Sequence, residues 1–133
     1  ALVHGILSHK EGTVNAPIGR HPHDRKRYTV TERNSKQAVT HFALSEQFKN
    51  EAMLELKLET GRTHQIRVHR KFIGHPIIGD PVYGRSKGIS MEGGQALHAA
   101  EIGFMHPRTG EWQQFSAPLP KDMEDLITIL RNR

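Results

Sequence analysis

The 133-residue sequence contains no cysteine and no long apolar run. The first absence excludes disulfide bonds and thiolate metal sites. It also favours a reducing compartment, so we expect a cytoplasmic protein. The second absence excludes a membrane-spanning helix, which needs about 20 consecutive apolar residues. Hydrophobic residues still make up 35% of the chain, and this content predicts one globular domain with a modest core.

Acidic residues are also scarce relative to basic ones. The chain has 14 Asp and Glu against 19 Lys and Arg, a formal net charge of +5, and ten histidines that add positive charge at lower pH. A basic excess of this size predicts a polyanionic partner, and nucleic acid is the first candidate. The basic residues are densest between Arg20 and Arg27.

The hydrophobic pattern predicts antiparallel strands. A strand remnant at 1–7 is followed by a long connecting arm, broken repeatedly by Gly and Pro. "QAVTHFAL" and the strictly alternating "AMLELKLE" predict a hairpin that turns at Lys49-Asn50, and "ALHAAEIGFM" and "EWQQFSAP" predict a second hairpin around "HPRTG". "SKGISMEGGQ" has the composition of a loop.

Two helices complete the predicted fold. The first begins at Thr63, whose hydroxyl is expected to cap it, and ends near Ile73 before Gly74-His75-Pro76. On a helical wheel, Val68 and Phe72 lie on its apolar arc and Arg67, Arg70 and Lys71 on its polar arc. The last helix begins at Pro120, with apolar residues at i, i+3, i+4 and i+7: Met123, Leu126, Ile127 and Leu130. We therefore predict an α+β fold, a mainly antiparallel mixed sheet with a few helices.

The segment "GRTHQIRVHRKFIGHPIIGD" joins the alternating strand to the first helix. A zinc site is not predicted, because His64 and His69 are five residues apart and ligands on one helical face need i, i+4 spacing. A solvated basic face remains open for Arg70 and Lys71. A strand that leads into a helix amino terminus also presents free N–H groups, and Arg62, His64 and Arg67 would surround them. Spacing alone leaves open whether a phosphate or a carboxylate binds there.

The run "LETGRTHQIRVHRKFIGHPIIGDPVYG" resembles the most distinctive motif of the RluA-type pseudouridine synthases, particularly of the branch that modifies large-subunit ribosomal RNA. "ALVHG", "GTVNAPIGRHP", "SKQAVTHF", "ALHAAEIGFMHPRTGEW" and "SAPLPKDM" resemble other family segments in the family's order. The resemblance covers almost the whole chain. It implies isomerisation of uridine to pseudouridine in RNA, with no metal and no cofactor.

The resemblance also implies site residues. Arg67 corresponds to the arginine that orients the catalytic aspartate, and Ile66 and Leu97 correspond to apolar residues that line the uracil pocket. The RNA-facing residues are expected to be basic ones from the arm and the motif: Arg20, Arg25, Lys26, Arg27, Lys36, Arg62 and His64. The target base must leave its stack to reach such a pocket.

The aspartate itself is missing. In the family it belongs to an H-R-L-D segment upstream of everything present here, and none of Asp24, Asp80, Asp122 and Asp125 lies in such a context. Residues 1–133 are therefore expected to be the carboxyl-terminal part of one catalytic domain, inactive alone, whose amino-terminal part is a necessary partner beside RNA. The alternative is a non-catalytic RNA-binding module derived from the same fold.

Overall fold

The computed structural model describes residues 1–85, 88–91 and 93–133. Within these residues the chain forms three antiparallel sheets and two helices, which confirms the predicted α+β class. In chain order the elements are β1 (Leu2–His4), β2 (Glu11–Asn15), β3 (Ile18–Arg20), β4 (Tyr28–Val30), β5 (Ser35–Lys36), β6 (Val39–Gln47), β7 (Glu51–Leu58), α1 (Gln65–Phe72), β8 (Glu101–Met105), β9 (Trp112–Ser116) and α2 (Lys121–Arg131).

The largest sheet has the strand order β1-β7-β6-β2. Its centre is the predicted hairpin, in which Phe42 pairs with Leu56 and Leu44 with Leu54 before a register shift near Glu46. Five residues of the arm form β2 and pair with β6. A smaller sheet, β4-β3-β5, carries the basic cluster, and β8-β9 form the second predicted hairpin.

The main core lies around this large sheet. Apolar residues of β1 and β7, including Leu2, Val3 and Leu54, pack there with the buried face of α2. That face is the predicted set Met123, Leu126, Ile127 and Leu130. A second, smaller cluster joins α1 to the small sheet through Ile18, Val68 and Tyr83. The helix α1 therefore touches both apolar clusters.

The alternation predicted for β7 holds in its middle and fails at both ends. Ala52 and Leu54 are buried, whereas Leu58 is 49% exposed. Glu51, predicted on the polar face, is buried beside Arg133. The predicted loop at residues 86–95 falls partly outside the described residues. In the described part of the chain, neither α1 nor α2 is long and apolar enough to cross a membrane.

Candidate functional site

The junction between β7 and α1 is held by a buried glutamine rather than by the predicted threonine cap. The helix begins at Gln65, its N-cap is His64 in the left-handed conformation (φ 55°), and no side chain caps it. The side-chain oxygen of Gln65 (Oε1) accepts hydrogen bonds from the backbone N–H of Arg62 (3.0 Å) and from the Thr60 hydroxyl (2.7 Å). Its amide group donates to the Val39 carbonyl on β6 (3.0 Å). This side chain therefore fixes where the helix starts against the large sheet.

Arg67 lies in the first turn of α1 and forms a bidentate ion pair with Asp80. Its Nε donates to one carboxylate oxygen (2.8 Å) and its Nη2 to the other (2.9 Å). The two side chains are 12% and 1% exposed. The guanidinium also lies 5.1 Å from the centroid of the Tyr83 ring, within the range of a cation–π contact. The side chain predicted on a polar arc is thus held in a fixed orientation.

Asp80 accepts hydrogen bonds from the chain around it as well. The N–H groups of Val82 and Tyr83 both donate to its Oδ1 (3.0 Å each). Burial opposes ionisation, but the hydrogen bonds from Arg67 and from these two N–H groups outweigh it, so the pKa of Asp80 is lowered. Hydrogen bonding to Asp80 raises the pKa of Arg67 in turn. Both groups are therefore charged at neutral pH.

Aromatic and imidazole rings extend from this pair toward the basic arm. His64 and the Tyr83 hydroxyl are hydrogen-bonded (2.9 Å), and the Tyr28 N–H donates to the same hydroxyl (2.8 Å). Tyr28 and His64 meet edge to face with centroids 5.6 Å apart, and the Arg20 guanidinium lies 5.5 Å from the Tyr28 centroid. Burial, and next the nearby charge of Arg67, lower the pKa of His64. His64 is thus connected by contacts to the arm.

The other basic residues of the arm follow the same surface. Arg25 and Lys26 are exposed in the β3–β4 turn, and Arg20 donates to the Arg25 carbonyl (3.1 Å). Arg27 is half-buried, because its guanidinium donates to the Val82 carbonyl and lies 5.5 Å from the Tyr83 centroid. Arg27 therefore has a structural role in addition to any contact with RNA.

Two further basic residues approach from the opposite end of the small sheet. Lys36 is exposed on β5, and the Arg62 side chain donates to the neighbouring Gln37 carbonyl (2.7 Å). The two apolar pocket residues predicted from the resemblance, Ile66 and Leu97, are partly buried and pack against the main core. The structure thus joins Arg20, Arg27, His64 and Arg67 through ring contacts, while Ile66 and Leu97 belong to the other cluster.

His69 has a structural environment. It is fully buried, with Nε2 2.8 Å from the Ala16 carbonyl and Nδ1 2.8 Å from the Thr40 hydroxyl. Both ring nitrogens are satisfied in a neutral imidazole whose Nε2 carries the proton and whose Nδ1 accepts from Thr40. Among the described residues there is no group of three or more His, Cys, Asp and Glu side chains that could hold a metal ion.

The open alternative of a solvated face is wrong for Arg70. This residue is 1% exposed, and its guanidinium lies 5.1 Å from the Phe42 ring centroid on β6. Phe72, expected on the buried arc, is 58% exposed. The helical-wheel prediction fails because α1 is covered on two sides. The large sheet contacts it through Thr40 and Phe42, and the smaller apolar cluster contacts it at Val68. Lys71 is exposed as expected.

Comparison with known proteins identifies the fold. A family model described as RNA pseudouridylate synthase matches residues 1–71. The chain belongs to that family. It is 58% identical over 131 residues to an uncharacterized RNA pseudouridine synthase, YlyB, of Bacillus subtilis, covering 98% of this chain and 43% of the relative. It is 47% identical over 139 residues to ribosomal large subunit pseudouridine synthase D of Nitrosomonas europaea, covering 99% and 40%.

Solved structures agree on the fold. The human RNA pseudouridylate synthase domain containing 1 protein superimposes with a TM-score of 0.77 at 24% identity, over 100% of this chain and 64% of that one. This chain spans less than half the length of the two bacterial relatives. Sequence reasoning missed the roles of Gln65 and Tyr83 and the pairing of Asp80 with Arg67. From its place in the family motif Asp80 was expected only to close a turn, and its Oδ1 does accept the N–H groups of Val82 and Tyr83.

Proposed function

We propose that residues 1–133 supply the orienting arginine, part of the base pocket and the RNA-facing surface of a pseudouridine synthase. The catalytic aspartate is contributed by a segment of the same domain outside this range. The reaction breaks the C1′–N1 bond of uridine, turns the uracil and joins C1′ to C5. The C5 hydrogen leaves as a proton, and N1 takes up a proton. The proposal requires neither a metal nor a cofactor.

The geometry of Arg67 is the observation that carries this proposal. Asp80 occupies only the Nε and Nη2 positions on one edge of the guanidinium. Nη1 makes no hydrogen bond to the described residues, so a second acceptor can approach the opposite edge. A guanidinium anchored by one carboxylate is well suited to orient another, because its side-chain freedom has already been lost. Arg67 can thus be paired within the chain and still position a catalytic carboxylate.

The basic surface supports an RNA substrate. Arg20, Arg25 and Lys26 are exposed on the small sheet and its turn, and His64 connects that sheet to Arg67 through ring contacts. Phosphate contacts of this kind position a nucleic acid without reading its sequence. We extend the proposal to ribosomal RNA, and hence to the cytoplasm, because relatives bear the name ribosomal large subunit pseudouridine synthase D.

A non-catalytic RNA-binding module is the second candidate. One observation favours it: Asp80 already neutralises Arg67, so the arginine does not need an additional aspartate for its own stability. On this alternative, Arg67 serves only to fix the segment after α1, and its loss would lower stability without a specific effect on catalysis.

Arg67→Ala in the complete gene product separates the two candidates. RNA transcribed with [5-³H]uridine releases tritium when C1′ becomes attached to C5. We expect kcat for release to fall on the order of 10²-fold or more, with the Kd for RNA changed far less, because the arginine orients and does not grip. Lys71→Ala, which removes an exposed charge from the same helix, is the matched control. Absence of release by the unmodified protein on ribosomal RNA would favour the binding module.

A further inference from the structure

The imidazole of His64 is held in one orientation by two tyrosines. The rings of Tyr28 and Tyr83 both meet it edge to face, each with a centroid distance of 5.6 Å. His64 Nδ1 and the Tyr83 hydroxyl are 2.9 Å apart. The backbone of His64 lies in the left-handed region (φ 55°), which few residues other than glycine adopt. A side chain fixed by its neighbours on an unfavourable backbone is a candidate for a specific contact.

The hydrogen bonds of Tyr83 decide which nitrogen of His64 carries the proton. The Tyr28 N–H donates to the Tyr83 hydroxyl oxygen at 2.8 Å, so this oxygen is the acceptor in that bond. Tyr83 is 3% exposed, and in the described part of the chain His64 Nδ1 is the one acceptor within reach of its O–H. A buried O–H without an acceptor is unfavourable, so it donates to Nδ1. Nδ1 is therefore unprotonated, and in the neutral imidazole Nε2 carries the proton.

The charges around His64 favour the same neutral form. Burial, and next the charge of Arg67, lower the pKa of His64. Asp80 has the opposite effect on that pKa, but its carboxylate is already paired with Arg67. Burial raises the pKa of Tyr83, so the hydroxyl keeps the proton that it donates. At neutral pH His64 is therefore an uncharged hydrogen-bond donor at Nε2 and not a cation.

The donor at Nε2 is available to a partner from outside the described chain. His64 is partly exposed, its Nε2 makes no hydrogen bond to the described residues, and it is not one of the buried atoms that lack a partner. On either side the ring contacts lead to a cation: Tyr28 lies 5.5 Å from the Arg20 guanidinium, and Tyr83 lies 5.1 Å from that of Arg67. An anionic oxygen is the acceptor that such surroundings favour.

We propose that Tyr83 is a positioning residue for RNA: its hydroxyl holds His64 with the proton on Nε2, and this N–H donates to a phosphate oxygen of the RNA backbone. The inference rests on the proposed function, because it requires RNA to cross the surface between Arg20 and Arg67. It differs from the expectation of a basic histidine. A neutral donor fixes where a phosphate lies without adding a positive charge, so its contribution to binding is independent of counterion release.

The protonation of His64 is measured by NMR of ¹⁵N-labelled histidines in the complete gene product without RNA. At neutral pH Nε2 should be protonated and Nδ1 unprotonated, and Tyr83→Phe should raise the fraction protonated at Nδ1. A protonated Nδ1 in the unmodified protein, or no rise in Tyr83→Phe, would overturn the proposal. Ser86 and Glu92 lie outside the described residues and carry acceptors. If Ser86→Ala or Glu92→Gln shifts the Nε2 signal, the donor is already used within the chain, which would also overturn it.

The phosphate contact is tested by RNA affinity. His64→Asn suits a left-handed backbone and keeps an acceptor near the Nδ1 position, but it has no donor at Nε2. Its Kd should rise about tenfold for large-subunit ribosomal RNA and for unrelated RNA alike, with the slope of log K against log salt unchanged. His64→Gln, whose amide N–H reaches the Nε2 position, and the exposed control His9→Asn should change Kd less than about threefold. An unchanged Kd for His64→Asn, an equal loss in His64→Gln, a slope lowered by about 1, or an effect on one RNA only would each overturn the proposal.

A double-mutant cycle assigns the role of Tyr83. Tyr83→Phe should weaken RNA binding in the protein that carries His64 and have little further effect in His64→Asn, whereas additive losses would overturn the proposal. If Tyr83→Phe does not fold, the NMR signals of the unmodified protein and the His64 pair of variants decide. None of these measurements needs turnover. Absence of tritium release would therefore count against the proposed function alone, and failure of the unmodified protein to bind RNA would overturn both.

Discussion

Asp80→Asn is the sharpest probe of the candidate site. The substitution keeps the size of the side chain and one oxygen that can accept the N–H groups of Val82 and Tyr83. It also turns an amide N–H₂ toward Arg67, where a carboxylate oxygen now accepts at 2.8–2.9 Å. The perturbation is therefore confined to the ion pair, and the turn at 80–83 keeps its backbone hydrogen bonds.

The expected magnitude follows from the burial of the pair. The two side chains are 12% and 1% exposed, near the buried limit, where removing one partner of an ion pair costs about 3–5 kcal/mol. The retained hydrogen bonds place Asp80→Asn at the lower end, about 3 kcal/mol, or a fall in Tm of roughly 5 °C or more. Because Arg67 also loses its anchor, kcat should fall by about 10²-fold, as expected for a displaced catalytic arrangement.

Thermal and urea unfolding of the complete protein measure the stability change, and tritium release measures kcat. Glu59→Gln is the matched control, because it neutralises a carboxylate whose contact with His41 is solvent-exposed, with Glu59 60% exposed. That change should cost about 0–1 kcal/mol. A loss below 1 kcal/mol for Asp80→Asn, with normal turnover, would refute the assignment of Asp80 as the anchor of Arg67.

Three other outcomes are expected. Lys26→Glu should weaken binding about equally for ribosomal and unrelated RNA, and it should lower the slope of log K against log salt by about 1 or more. Lys121→Glu should have neither effect. Equal effects of the two variants would argue against an RNA-facing surface formed by the basic residues of the arm. Burial lowers the pKa of His69 in the folded protein below its ordinary 6.5. The unfolded chain therefore binds a proton more readily, and the free energy of unfolding should fall as pH falls from 7 to 5. His69→Gln should reduce this loss in thermal unfolding, and an unchanged loss would contradict a buried neutral imidazole. Residues 1–133 alone should release no tritium from [5-³H]uridine RNA, and robust release would show that the chemistry has been misplaced.

Regular elements with one buried face were predictable from the sequence. The face of α2 is the predicted set of four apolar residues, and the hairpin of β6 and β7 has its turn at Lys49-Asn50. These predictions are correct because each element is covered on one face only, so the residues that repeat as apolar in the sequence are the ones that are buried. The same reasoning fails at the end of β7, where Leu58 stays half exposed.

The local structure of the site was not predictable in this way. Thr63 is a good cap by propensity, but the helix begins at Gln65 without a side-chain cap, and the buried Gln65 side chain holds its start through bonds to Thr60 and Arg62. Asp80 follows Arg67 by 13 residues and has no periodic relation to it. The residues alone placed Arg67 at a candidate anion site, and the resemblance of the whole motif added its orienting role. Its partner in the chain, Asp80, became visible only with the turn at 80–83.

The low intrinsic stability of the short helix α1 explains why its polar residues are buried in tertiary contacts. It has eight residues, a left-handed N-cap without a side-chain hydrogen bond and no acidic residue in its first turn, so it has little intrinsic stability. Its position depends on tertiary contacts: Gln65 and His69 bind β6 and Ala16, and Asp80 pairs with Arg67. A helix anchored in this way holds Arg67 at a fixed depth between two sheets. Any carboxylate brought to the free edge of that guanidinium meets a group whose position is already set, which is the requirement for orienting a catalytic aspartate.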